Sequence, residues 1–251
     1  MKIYYILYFC AFLLQSCNTE DAWNCIQTVG DIVEEPFEVA PFTRITVEDD
    51  IYLEIEHGEV QRVVVTTGSN LLNDISVVVE ADGNLRLKNY NNCNYSREYD
   101  VTTITVTTPS LSQIRNASRN TVTSKNTLHF ESLSLRSDTS IGVIDPGKSG
   151  DFRLSVAVDS LLVSANGISD IKISGTASYA FVGFYDEVPR FQGEDLIVQN
   201  LKIFHAAGNS MKVNPQQSIE GIIRGNGDVI CVTKPPLVDV SVTNVGRLIF
   251  E

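Results

Sequence analysis

Histidine and tryptophan are scarce: the 251 residues hold three histidines (His57, His129 and His205) and one tryptophan, Trp23. That scarcity argues against a histidine-rich metal site, and neither a metal nor a cofactor is expected. Positive charge is short as well. Nineteen Lys and Arg face 31 Asp and Glu, for a net charge of −12. An acidic surface repels a phosphate backbone, so nucleic acid is not an expected partner. Helical periodicity is missing, since no three-turn stretch keeps apolar residues at 3.6-residue spacing without interruption. Long hydrophobic runs are missing too. The single candidate, Ile3 to Leu14, falls short of the ~20 residues a membrane-spanning helix needs. What remains, 43% hydrophobic and 20% charged, describes a folded globular chain.

The short apolar run follows Lys2 and ends in Leu14-Gln15-Ser16-Cys17. A positive start, a brief apolar core and a small residue before Cys resemble a bacterial lipobox. The resemblance implies that residues 1–16 are a signal peptide and that Cys17 is lipidated. The membrane is then a partner through the anchor, and the expected location is the outer membrane, on its surface or its periplasmic face. The acidic Glu20-Asp21 just behind Cys17 is similar to surface-export signals of some Gram-negative lipoproteins. Residues 17–36 are read as a lipidated tether.

Three cysteines are left for the body: Cys25, Cys93 and Cys231. Cys231 shares the face of Val229 on an apolar strand, which suits a buried free thiol. Cys25 in the tether and Cys93 in a polar loop are natural disulfide partners in an oxidising compartment, with both free as the alternative.

Alternation dominates from residue 37. Ile45/Val47, Leu53/Ile55, Val63/Val65, Leu85/Leu87 and Ile104/Val106 repeat every second residue, and Asp82-Gly83-Asn84 and similar groups punctuate them. From Pro109 a unit recurs: an alternating strand, a small polar turn, a second strand. The first apolar residues after the turns are Val122, Val143, Ile171, Met211, Val229 and Leu248, a mean period of about 21 residues. The wide gap after Ile171 fits two coils, with Phe181 to Val188 as a degenerate copy. The expectation is a single all-β domain over 37–251, a right-handed parallel β-helix. Ile171, Ile173, Met211, Val213, Val229, Cys231, Leu248 and Phe250 should face inward. A β-sandwich is the competitor.

Phe42-Thr43-Arg44-Ile45-Thr46-Val47, Asn70-Leu71-Leu72, Asp82-Gly83-Asn84-Leu85, Asn91 to Arg97 and Arg224-Gly225-Asn226-Gly227-Asp228-Val229 together resemble the head GIN domain family of auto-transporter adhesins. The resemblance covers about residue 37 to the end. It implies a right-handed parallel β-helix of unknown function in an envelope protein, with no assigned catalytic residues. Ser137 to Ser140 and Phe184 to Glu187 depart from the pattern, because these turns lack glycine.

No catalytic set stands out. Asp170 and Glu187 each precede a post-turn apolar position on coils expected to be adjacent, with Ser210 and Asp228 beyond them. Such a row suits a polysaccharide hydrolase or lyase, or a calcium site. The plainer reading is that solvated turns favour acidic residues. Glu48-Asp49-Asp50 is read as a charged turn. Gly225-Asn226-Gly227 has no helix behind it and so is not a phosphate loop. The expected function is non-enzymatic: a lipid-anchored adhesin whose β-surface binds a glycan or a surface protein. Phe184, Tyr185 and Phe204 are its candidate aromatic anchors. A carbohydrate-active enzyme and a purely structural envelope component are the alternatives.

Overall fold

Val, Ile and Thr in alternating order cost little in an extended backbone and bury every second side chain. In the computed structural model, which describes residues 23–91, 93–95, 97–139 and 147–251, they form strands almost throughout. The signal peptide 1–16, Cys17 and Val143 lie outside the described residues. The strands are β1 (Ile32–Phe37), β2 (Arg44–Asp49), β3 (Tyr52–His57), β4 (Arg62–Gly68), β5 (Ile75–Val79), β6 (Asn84–Asn89), β7 (Thr103–Thr108), β8 (Gln113–Ser118), β9 (Thr121–Ser124), β10 (Leu128–Ser137), β11 (Asp151–Ala165), β12 (Asp170–Phe184), β13 (Arg190–His205), β14 (Met211–Ile223), β15 (Val229–Cys231), β16 (Leu237–Val242) and β17 (Leu248–Phe250). One 3-10 turn, Leu72–Asp74, is the helical content among the described residues. All the strands join one 17-stranded sheet, not the two facing sheets of a sandwich.

From β10 to β14 each strand pairs in parallel with the next; β14 then pairs in parallel with both β15 and β16, and β15 with β17. The pairing falls into three rows. One carries Ser134–Arg136, Leu162–Ser164, Phe181–Gly183, Lys202–Phe204 and Glu220–Ile222 side by side. A second carries Asp151–Arg153, Asp170–Lys172, Arg190–Gln192, Met211–Val213, Val229–Cys231 and Leu248–Phe250. A third carries Leu128–Phe130, Val156–Val158 and Gly175–Ala177. Register skips Glu131, Asp159, Ser178 and Gln199, so each long strand turns a corner there without a loop.

The inward expectation holds where it was made. Ile171, Ile173, Met211, Val213, Val229 and Cys231 are buried, and Leu248 and Phe250 pack partly buried against the same core. Two expectations are corrected. The residue between Ile171 and Met211 in its column is Phe191, not one within Phe181 to Val188. A five-residue connection, Tyr185 to Pro189, holds no glycine and hides the coil start from a turn-based reading. The N-terminal part is not uniformly parallel either. β1–β4, β4–β7 and β5–β6 are antiparallel, and of these pairs only β5–β6 is joined directly, by the tight turn at Gly83 (φ 76°).

Part of the segment 17–36, expected to be a tether, is strand. Ile32–Phe37 is strand β1, and the Gln27 amide donates to Asn70 O at 2.7 Å. Cys25 and Cys93 form a disulfide across 68 positions, fixing this segment to the loop after β6. Cys231 is free and buried, and burial pushes its thiol up to about 12.

Candidate functional site

Outward positions of the first row gather apolar and aromatic side chains from four successive strands. Along β12, Tyr179 and Phe181 point out while Ala180 between them is buried. Leu162 lies beside Phe181 on β11, and Phe204 lies beside Gly183 on β13, followed by Ile222 on β14. Leu162, Tyr179 and Tyr185 are 39%, 40% and 46% exposed. Monomeric surfaces seldom gather so many large apolar groups in one patch without use.

Tyr185 completes the patch by leaving the strand. Its N–H still donates to Ala165 O at 3.0 Å, and its ring stacks on Phe204 with centroids 5.1 Å apart and planes 28° from parallel. Gly183 makes room for this. A Cβ there would lie 2.8 Å from Tyr185 Oη and 2.9 Å from a Phe181 ring carbon. The two rings therefore close over bare backbone. Charged groups form the rim: Lys202 pairs with Glu220 at 3.1 Å, and Arg136 grips both oxygens of Asp138 at 3.2 Å. Ser164 Oγ also donates to Asp138. Burial and the nearby Asp138 carboxylate raise the Tyr185 phenol above its usual range, so it stays a neutral donor.

Of the three aromatic candidates, the structure brings Tyr185 and Phe204 together at the surface. Phe184 is a correction. Strand alternation turns it inward, where it is fully buried with its edge toward Phe191 at 6.4 Å and beside His205 at 6.1 Å. Leu162, Tyr179 and Phe181 join Tyr185 and Phe204 without being sequence candidates. The available signal was the small Ala180 flanked by two rings.

The acidic row does not assemble. Asp170 stands in register with Arg190, not Glu187. Its Oδ1 accepts from the Gln192 amide at 2.6 Å, and its N–H donates to Asp151 Oδ1 at 2.7 Å. Glu187 sits in the turn at φ 53° and pairs with Lys148. Asp228 pairs with Arg247 at 2.7 Å and accepts its backbone N–H at 2.8 Å. These aspartates tie the starts of neighbouring strands together. Among the described residues no three His, Cys, Asp or Glu gather to hold a metal.

Glu48-Asp49-Asp50 is more than a charged turn. Glu48 is buried in β2 and pairs with Arg86 and Lys88, while Asp49 turns the chain at φ 58°. Asp50 Oδ1 accepts from Asn120 at 2.9 Å. Burial and Asp50 raise the Asp100 carboxyl above its normal range. Asp50 also lines a cavity of about 70 Å³, together with Asn89, Arg97 and Arg119. Asp100 lies fifty positions from Asp50, a proximity no local motif announces.

A family model described as "Putative auto-transporter adhesin, head GIN domain" matches residues 41–235. The fold is similar to the crystal structure of a "putative adhesin" from Bacteroides fragilis NCTC 9343, with TM-score 0.77 and 19% identity over 89% of this chain and 99% of that one. It is also similar to a "putative lipid binding protein" from Parabacteroides distasonis ATCC 8503, with TM-score 0.62 and 14% identity over 89% and 98% of the two chains. A "putative adhesin" from Parabacteroides merdae ATCC 43184 has TM-score 0.62 and 15% identity over the same shares. No curated protein matches the chain.

Proposed function

The chain belongs to the head GIN domain family of auto-transporter adhesins, and from that premise we propose that it is a non-enzymatic envelope adhesin binding through its aromatic face. The observation that carries the reading is the exposed patch around the stacked Tyr185–Phe204 pair, with Tyr179, Phe181 and Leu162 beside it. Rings presented flat on a rigid sheet bury large area on contact and stack on sugar rings, so a neutral glycan face is the proposed ligand. The parallel registers and three rows support reading the body as a right-handed parallel β-helix, which would hold the patch rigid. Anchorage through lipid on Cys17, at the outer membrane, completes the proposal. Among the described residues no helix is long and apolar enough to cross a membrane.

A glycan array tests the binding reading. Wild type should retain a set of glycans that Tyr185→Ala/Phe204→Ala loses while both proteins melt cooperatively. Identical profiles for the two, or release of cleaved oligosaccharide, would overturn it. Labelled palmitate incorporated by the wild type and not by Cys17→Ser supports the anchor, and equal labelling refutes it.

A further inference from the structure

The second row presents a different chemistry. Its outward positions place Arg153 beside Lys172, Lys172 beside Gln192 and Gln192 beside Lys212, on four successive strands. Arg190 adds a cation next to this column, two residues before Gln192. Arg153, Lys172 and Arg190 are exposed, and among the described residues they form no ion pair. Lys212 meets Glu251 at 3.3 Å. Parallel neighbours lie ~4.8 Å apart, so the Arg153 and Lys172 stems stand one strand spacing from each other. Like charges so opposed repel and give the fold nothing.

The nearby acids do not cancel them fully. Asp151 and Asp170 sit two residues earlier on the same face. Asp151 Oδ1 already accepts the Asp170 N–H, and Asp170 Oδ1 accepts the Gln192 amide. A chain of net charge −12 thus carries one file of cations across its coils.

We propose that this column, Arg153–Lys172–Gln192–Lys212 with Arg190, binds a linear acidic polysaccharide laid across the strands, its carboxylates spaced along the cations. Charge complementarity selects an anion. The single file selects a narrow polymer, because an anionic bilayer would also press on the flanking Asp151 and Asp170. No aromatic side chain stands in these positions, so a nucleic-acid strand has nothing on which to stack its bases.

Polygalacturonate is the probe, measured by titration calorimetry from low to moderate salt beside neutral dextran, single-stranded DNA and phosphatidylglycerol vesicles. Polygalacturonate should bind, weaken steeply with salt, and weaken about tenfold in Arg153→Gln/Lys172→Gln. Tyr185→Ala/Phe204→Ala should bind it unchanged, which separates this site from the aromatic face. Melting curves confirm that each variant is folded. Absent binding at low salt, equal binding by the column variant, or equal binding of DNA or vesicles would overturn the proposal.

Discussion

Phe184 and Tyr185 are chain neighbours with opposite environments, and truncating each to alanine separates packing from binding. Phe184 is fully buried against Phe191 and His205, in the column that also holds Ala165. Removing its ring leaves a cavity along this column that cannot close, because the parallel ladder fixes strand spacing. Phe184→Ala should therefore cost about 3–5 kcal/mol. With a urea slope of about 2–3 kcal/mol/M, the unfolding midpoint falls by about 1–2.5 M. Tyr185 keeps nearly half its surface in water and has one stacking partner. Tyr185→Ala should cost about 1 kcal/mol, from the lost stack and partial burial. Its midpoint then moves by less than about 0.5 M. Far-ultraviolet circular dichroism in urea reads both, and the glycan array reads binding at 25 °C, where folded protein dominates. The reasoning fails if the midpoint order is reversed, or if Phe184→Ala loses glycans while folded and Tyr185→Ala keeps them.

Three further outcomes are expected. Cys25→Ser/Cys93→Ser opens a link spanning 68 positions and should lower stability by about 2–4 kcal/mol, read by urea unfolding; no change would mean the N-terminal segment is held without it. Burial lowers the His205 pKa below its usual 6.5, so the unfolded chain takes up this proton first as pH falls. The stability from neutral His205 is complete above about pH 6.5 and is lost below it, toward the lower folded value; melting temperatures from pH 8 to 5 should fall less in His205→Gln, and parallel curves would refute this. Gly221→Ala puts a Cβ 1.9 Å from Ile203 O at φ 134° and should cost at least about 3 kcal/mol, whereas Gly83→Ala, at φ 76° with no atom within 4 Å, should cost about 1–2 kcal/mol; similar thermal shifts would contradict the inter-coil contact.

Strand content was legible because alternation is a local signal, and the inward set from Ile171 to Phe250 followed from it. The disulfide was legible by elimination among few cysteines. What failed was phase across connections. The five residues from Tyr185 to Pro189 contain no glycine, so turn chemistry does not mark the start of β13 and puts Glu187 beside Asp170, where Arg190 stands. The same connection decides Phe184 and Tyr185. The first still belongs to the β12 alternation and turns in; the second has left it and stacks outward on Phe204.

The aromatic face was hidden for a related reason. Hydrophobic residues inside is a one-way rule, and a reading that assigns large side chains to the core reverses the polarity of Tyr179-Ala180-Phe181. Ala180 lies in the inward column between Leu161 and Leu201, both large and both buried. A small residue fits there because its neighbours fill the space, so the rings on either side are free to face water. Packing does not require those rings to be aromatic. Gly183 keeps the backbone under Tyr185 bare at a strand position where glycine weakens the sheet. The exposed rings and this glycine fall within seven residues of β12 and its exit, 179–185, and together build one surface. That concentration is the physical reason for proposing binding on this face, since a glycine elsewhere in the strand would cost stability without building anything.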